Sequence, residues 1–184
     1  LIYIGNRKGS NNFQEKYAEF DPNILQPNPA DPEQRSDSLY RFEGYQIFQL
    51  KDASVTLGDA KNKYGEYDLD KVRLVAQFDK NNGVGRIINH YFDKDLGFNI
   101  PVVEVDGGDE GIQHSFQLTD DAFATGDKRL VNHKQYYYTV VAYAYNEFLP
   151  YDPEDQIGKF GQKQSYLPGR KNIQTYTAIP HKII

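Results

Sequence analysis

The chain has 184 residues, 39% hydrophobic and 14% aromatic, with a formal charge of −5 and no Cys, Met or Trp. The acidic balance, without any basic run, excludes a nucleic-acid footprint, and the missing cysteines exclude a disulfide framework and thiolate metal sites. No stretch approaches the roughly 20 apolar residues of a membrane helix, so the chain is not expected to span a membrane. This length suits one domain with long insertions, residues 1–184 being taken together, and a mean hydropathy of −0.73 means much of it is solvated loop. The opening Leu1, the absence of Met and the lack of a leader pattern point to a piece of a longer protein.

Residues 1–4 form a short apolar run and are expected to be a strand, followed by turn chemistry in NRKGSNN at 6–12. Pro22, Pro27, Pro29 and Pro32 exclude helix and central strand, so 21–38 reads as an extended Pro-rich loop. Leu39–Leu50 (LYRFEGYQIFQL) is too densely apolar for clean alternation. It reads as a strand bulged at Gly44, because Gly would weaken a helix there. The segment 52–70 has no strong period and reads as an insertion.

VRLVAQF at 72–78 predicts a strand with Val72, Leu74, Ala76 and Phe78 on one face. After the DKNNGVG turn, 86–111 reads as irregular, then 114–118 (HSFQL) alternates with Phe116 and Leu118 inward. Tyr136–Tyr145 (YYYTVVAYAY) is the strongest strand of the chain, and 173–179 (IQTYTAI) alternates again before Pro180. Short strands between turns, with no amphipathic helix and no internal repeat, predict an all-β antiparallel sandwich.

Within this pattern, Leu130 stands six residues before Tyr136, and Tyr138, Val140 and Ala142 follow at alternate positions. FEGYQI at 42–47 places a Gly-Tyr pair before an inward apolar residue. These residues resemble the penultimate and third strands of fibronectin type III domains, an immunoglobulin-like antiparallel β-sandwich. The resemblance implies that Tyr136 ties the crossing loop through its hydroxyl and that Leu130 closes the sandwich end. The chain departs from the family in having no Trp and in the length of its insertions at 52–70, 79–114 and 146–172. The wording of YRFEGYQIFQLKD, RLVAQFDKNNG, GIQHSFQLTDDAF and KQYYYTVVAYAYNEF is similar to modules of large surface and secreted proteins of Bacteroidota that leave the cell by the type IX route. That likeness implies an exported, extracellular or cell-surface location and a multidomain parent.

Candidate sites are few. His90, His114, His133 and His181 are scattered, with no ligand spacing, although His114 and His133 flank strands expected to be near each other. The carboxylates Asp120, Asp121 and Asp127, the set Asp106, Asp109 and Glu110, and the Asp79-Asn81-Gly83 loop can all be read as turn formers. No cofactor is expected, a single structural Ca²⁺ on such oxygens being the one exception allowed. Ser10, Ser115 and Ser165 lack a nucleophile context, so no catalytic residue and no enzyme activity are expected. If the even positions of 136–145 face the core, Tyr137, Tyr143 and Tyr145 lie outward and form a candidate interaction surface. Two partners fit such a surface: other domains of the parent chain or surface proteins, and a glycan stacked on the rings. Cross-strand packing beneath a long insertion accounts for the same three residues.

Overall fold

The computed structural model describes residues 1–24, 26–28, 31–152, 154, 161–170 and 173–181. It is all-β, built from antiparallel pairs. The strands in chain order are β1 (Ile2–Tyr3), β2 (Ala18–Phe20), β3 (Leu39–Leu50), β4 (Val72–Asp79), β5 (Arg86–Asp93), β6 (Phe98–Asp106), β7 (Ser115–Phe116), β8 (Tyr136–Tyr145), β9 (Tyr166–Pro168) and β10 (Thr175–Ala178).

The main sheet is centred on β3 and β8, which pair antiparallel from Arg41↔Tyr145 to Leu50↔Tyr137. On the far side of β3, β2 takes the first turn of pairs and β4 the rest. On the far side of β8, β9 and β10 likewise share one edge, meeting its C-terminal and N-terminal halves. Two smaller pairings, β1 with β7 and β5 with β6, complete the architecture.

A bulge explains the dense apolar run of β3. The β3–β8 register slips between Phe42 and Gly44, leaving Glu43 as the extra residue and exchanging the two faces of the strand. Tyr40 and Phe42 before the slip therefore share a face with Tyr45 and Ile47 after it, in one cluster with Tyr17, Ala144 and Leu167. Phe48 and Leu50 point the other way, packing with Ala60, Val72 and Val141. Each face of the sheet consequently carries a buried apolar cluster. The inner face meets the β1–β7 pair, and the outer face is covered by the 52–70 insertion and the β5–β6 hairpin.

A second slip, opposite Ile47/Phe48, corrects the expectation that Val72, Leu74, Ala76 and Phe78 share one face of β4. Ala76 and Phe78 pair with the inner residues Ile47 and Tyr45, whereas Val72 and Leu74 pair with the outer residues Leu50 and Phe48. Leu74 remains 48% exposed.

The 86–111 region, expected to be irregular, holds the β5–β6 hairpin. Asp93 sets its turn by accepting the N–H groups of Asp95 and Leu96, and Gly97 takes φ of 73° there, a value that favours glycine. Pro101 lies within the second strand of this hairpin. It is tolerated because, among the described residues, β6 pairs with β5 alone, leaving its other edge free of ladder bonds. The Pro-rich 21–38 segment carries no strand among its described residues, as expected.

Gly44 is required by space. A Cβ there would lie 2.2 Å from the Phe78 carbonyl oxygen and 2.5 Å from the Tyr143 hydroxyl. Replacing it, Gly44→Ala, is expected to cost about 3 kcal/mol through forced displacement of a packed ring, measured by urea unfolding. A loss under about 0.5 kcal/mol would show that the ring is not fixed there. Separately, Tyr136 accepts the N–H of Val131 through its hydroxyl at 2.8 Å, so Tyr136→Phe should remove about 1 kcal/mol while leaving the circular dichroism unchanged.

Candidate functional site

A cleft of about 600 Å³ lies on the inner face of the main sheet. Its floor is made by alternate residues of neighbouring strands: Tyr45 and Ile47 of β3, Tyr138, Val140 and Ala142 of β8, and Tyr176 and Ala178 of β10. Alternation is what a sheet shows when viewed on its face. The opposite wall is the segment 2–7, which lines the cleft with consecutive residues. The volume falls within the range of ordinary ligand and peptide sites.

One end of the cleft is polar. The Tyr45 hydroxyl accepts from Asn6 Nδ2 at 2.5 Å and from Asn12 Nδ2 at 3.1 Å, and donates to Glu15 Oε1 at 3.2 Å. Burial pushes its pKa up to about 12, so it stays a neutral donor. His114 Nε2 lies 2.7 Å from the same Glu15 oxygen. Ser10 and Tyr138, which also line the cleft, each have a buried hydroxyl with no hydrogen-bond partner among the described residues. This arrangement can accept hydrogen bonds and apolar side chains. It has no nucleophile poised beside a base.

Of the two readings of Tyr137, Tyr143 and Tyr145, packing beneath covering segments is the one their burial agrees with. Tyr143 is 0% exposed, stacked on Tyr166 at 5.4 Å between centroids and lying against Gly44. Burial raises its pKa well above the usual phenol value. Tyr137 and Tyr145 are half-buried; their hydroxyls donate to Gln135 and Glu147, and their rings pack against the outer clusters. The three residues do lie on the outer face, as the alternation requires. The hairpin and insertions, whose packing no periodicity reveals, cover that face.

The carboxylates are largely engaged by protein donors. Asp121 bonds Lys134 Nζ and Gln49 Nε2, each at 2.8 Å, and these partners hold its carboxyl below the usual range although burial opposes the charge. Asp127 pairs with Arg129. Asp109 accepts from the N–H groups of Asn82 and Gly83, while its own N–H donates to Asp79. Among the described residues, no three His, Asp or Glu side chains converge as a metal would require. His114 is held by Glu15, and the backbone N–H of His133 donates to the Pro180 carbonyl, so the two do not share a partner. His90 instead stacks on Tyr151, with centroids 4.3 Å apart. No family model, curated protein or solved structure matches this chain.

Glu43, the bulge residue, was missed in the sequence because its context is apolar. It is 4% exposed, accepts from Asn82 Nδ2 at 3.0 Å, and leaves its second carboxyl oxygen without a hydrogen-bond partner among the described residues. Burial pushes its pKa up to about 7, with Asp79 and Asp109 reinforcing the rise and Asn82 and Lys80 opposing it. An ordinary carboxyl has 4.5, so between those values the folded form holds a proton the unfolded chain has lost. The stabilisation from Glu43 is therefore complete below about pH 4.5 and disappears as pH rises through about 7. His90, whose pKa burial lowers, gives the opposite slope nearby, so the comparison must be between proteins. Relative to Glu43→Gln, the unmodified chain should lose about 2 kcal/mol of unfolding free energy between about pH 5 and about pH 8. Parallel curves for the two proteins would refute the assignment.

Proposed function

We propose that residues 1–184 form one non-catalytic, fibronectin type III-like module of a larger exported protein, spacing or docking neighbouring polypeptides at the cell surface. The observation that carries this reading is the Tyr136 corner, in which the hydroxyl takes a backbone N–H five residues upstream at the entrance to β8. The half-buried Leu130 immediately before it, and the β4–β3–β8 order with β9 and β10 sharing the last edge, agree with the family's larger sheet. The module reading also accounts for polar side chains that are spent on tying loops rather than gathered round a reacting centre. Among the described residues no helix is long and apolar enough to cross a membrane. A sugar platform would need Tyr143 at the surface, and its burial removes the support for that alternative.

Two measurements test the reading. Purified protein should give no turnover on panels of ester, glycoside, phosphoester and peptide substrates, and no signal on a glycan array. Brief trypsin treatment of intact producing cells should release peptides of this chain. Turnover, or glycan binding lost on Tyr145→Ala, would overturn the non-catalytic docking role; protection from trypsin in cells that stay intact would overturn the surface location.

A further inference from the structure

The inner layer of this sandwich is shorter than the sheet it covers. β1 has β7 as its strand partner on one side, and among the described residues no strand pairs with its other side. The register fixes which backbone groups are left. Ile4 donates its N–H to the His114 carbonyl at 2.8 Å, so the Ile4/His114 and Ile2/Phe116 pairs exchange bonds with β7. Alternation then turns the N–H and carbonyl of Tyr3 away from β7. Tyr3 is also 74% exposed, and with its neighbours it lines the cleft as consecutive residues, as a strand does when it presents its edge.

The cleft is thus bounded on one side by an unpaired strand edge and on the other by an apolar sheet face. Tyr138, Val140, Ala142 and Tyr176 form that face, and the rim carries the exposed apolar residues Tyr3, Ile173 and Tyr176. Arg7 sits at the same wall, exposed, with no ion pair among the described residues in a chain of net charge −5. Resting on the docking role above, we infer that the cleft takes an extended segment of a partner polypeptide, which adds to β1 as a strand. Its alternate apolar side chains descend onto Val140, Ala142 and Tyr176, and a carboxylate at its end meets Arg7. Main-chain hydrogen bonds to Tyr3 hold the segment in place, and the floor selects its side chains.

The probe is a fluorescein-labelled peptide alternating Val and Thr and ending in Asp-Asp, titrated against the whole chain by fluorescence anisotropy. Saturable binding is expected. Tyr3→Pro removes the N–H of the unpaired edge, and Arg7→Glu reverses the charge at an exposed position; each should weaken binding by about tenfold or more, equivalent to 1.4 kcal/mol. N-methylation of alternate peptide amides should weaken it equally, and that arm needs no folded variant of the protein. Absence of binding, or equal binding of the N-methylated peptide, overturns strand addition. Dimerisation abolished by Tyr3→Pro, without peptide binding, would make the occupant a second copy and overturn the partner assignment. Neither result touches the module reading, which fails instead on enzymatic turnover.

Discussion

The antiparallel ladder between β3 and β8 is the constraint on which the rest of the molecule depends, because every other strand of the main sheet pairs with one of these two. What makes the ladder usable on both faces is the single extra residue Glu43. Without it, the apolar residues of β3 would be split by strict alternation, and Tyr40 and Phe42 would oppose Tyr45 and Ile47 across the sheet. With it, four large side chains fall into one inner cluster, while Phe48 and Leu50 are released to the outer layer. The cost is a buried carboxyl beside Asp79 and Asp109, and Gly44 at the next position admits the Tyr143 ring that crosses it.

Three polar residues of β3, spaced three apart, then anchor the segments that cover the sheet. Glu43 reaches Asn82 in the turn after β4. Gln46 donates to the Glu104 carbonyl on the β5–β6 hairpin and accepts from the Tyr166 hydroxyl, both within 2.8 Å. Gln49 bonds Asp121 and the Ala122 N–H in the corner before β8. Each is at most 4% exposed, and a buried amide left unpaired costs on the order of 1–3 kcal/mol, so mispositioned loops are penalised. Apolar contact supplies most of the burial, and these bonds fix which loop lies where.

β3 and β8 were legible in the sequence because aromatic and β-branched residues in runs of ten or more leave few other options. The Tyr136 tie was anticipated from the resemblance that the Leu130–Tyr136 spacing carries, and the bond itself is present. The hairpin was not legible, since Pro101 interrupts its second strand and a proline signals only that one edge is unpaired, not that the strand is absent. The fate of Tyr143 was half legible. Alternation assigns it to the face opposite Val140 and Ala142, but whether that face is bare depends on long-range packing of Ile87, Val105 and Tyr166. Glu43 was missed for a related reason: Gly44 signals a bulge, but which neighbour the bulge leaves over and buries is set by the register against β8.

The two faces of the sheet end up unequally served. On the outer side, the 52–70 insertion, the β5–β6 hairpin and Tyr166 of β9 bury the sheet so fully that Tyr143 and Val141 are at most 2% exposed. On the inner side, the opposing layer is two strands of two residues each, and Val140 and Ala142 are only partly covered. An apolar floor is normally covered when a strand edge stands beside it, because edges left open invite pairing. Among the described residues, an open strand edge, an incomplete cover and an Arg7 without an ion pair coincide in one cleft. The polar residues at its end, Asn6, Asn12, Glu15 and Tyr45, bond mainly to one another, so they hold the wall in place without filling the space. The proposed partner site therefore lies on the inner face, opposite the tyrosines to which periodicity first draws attention.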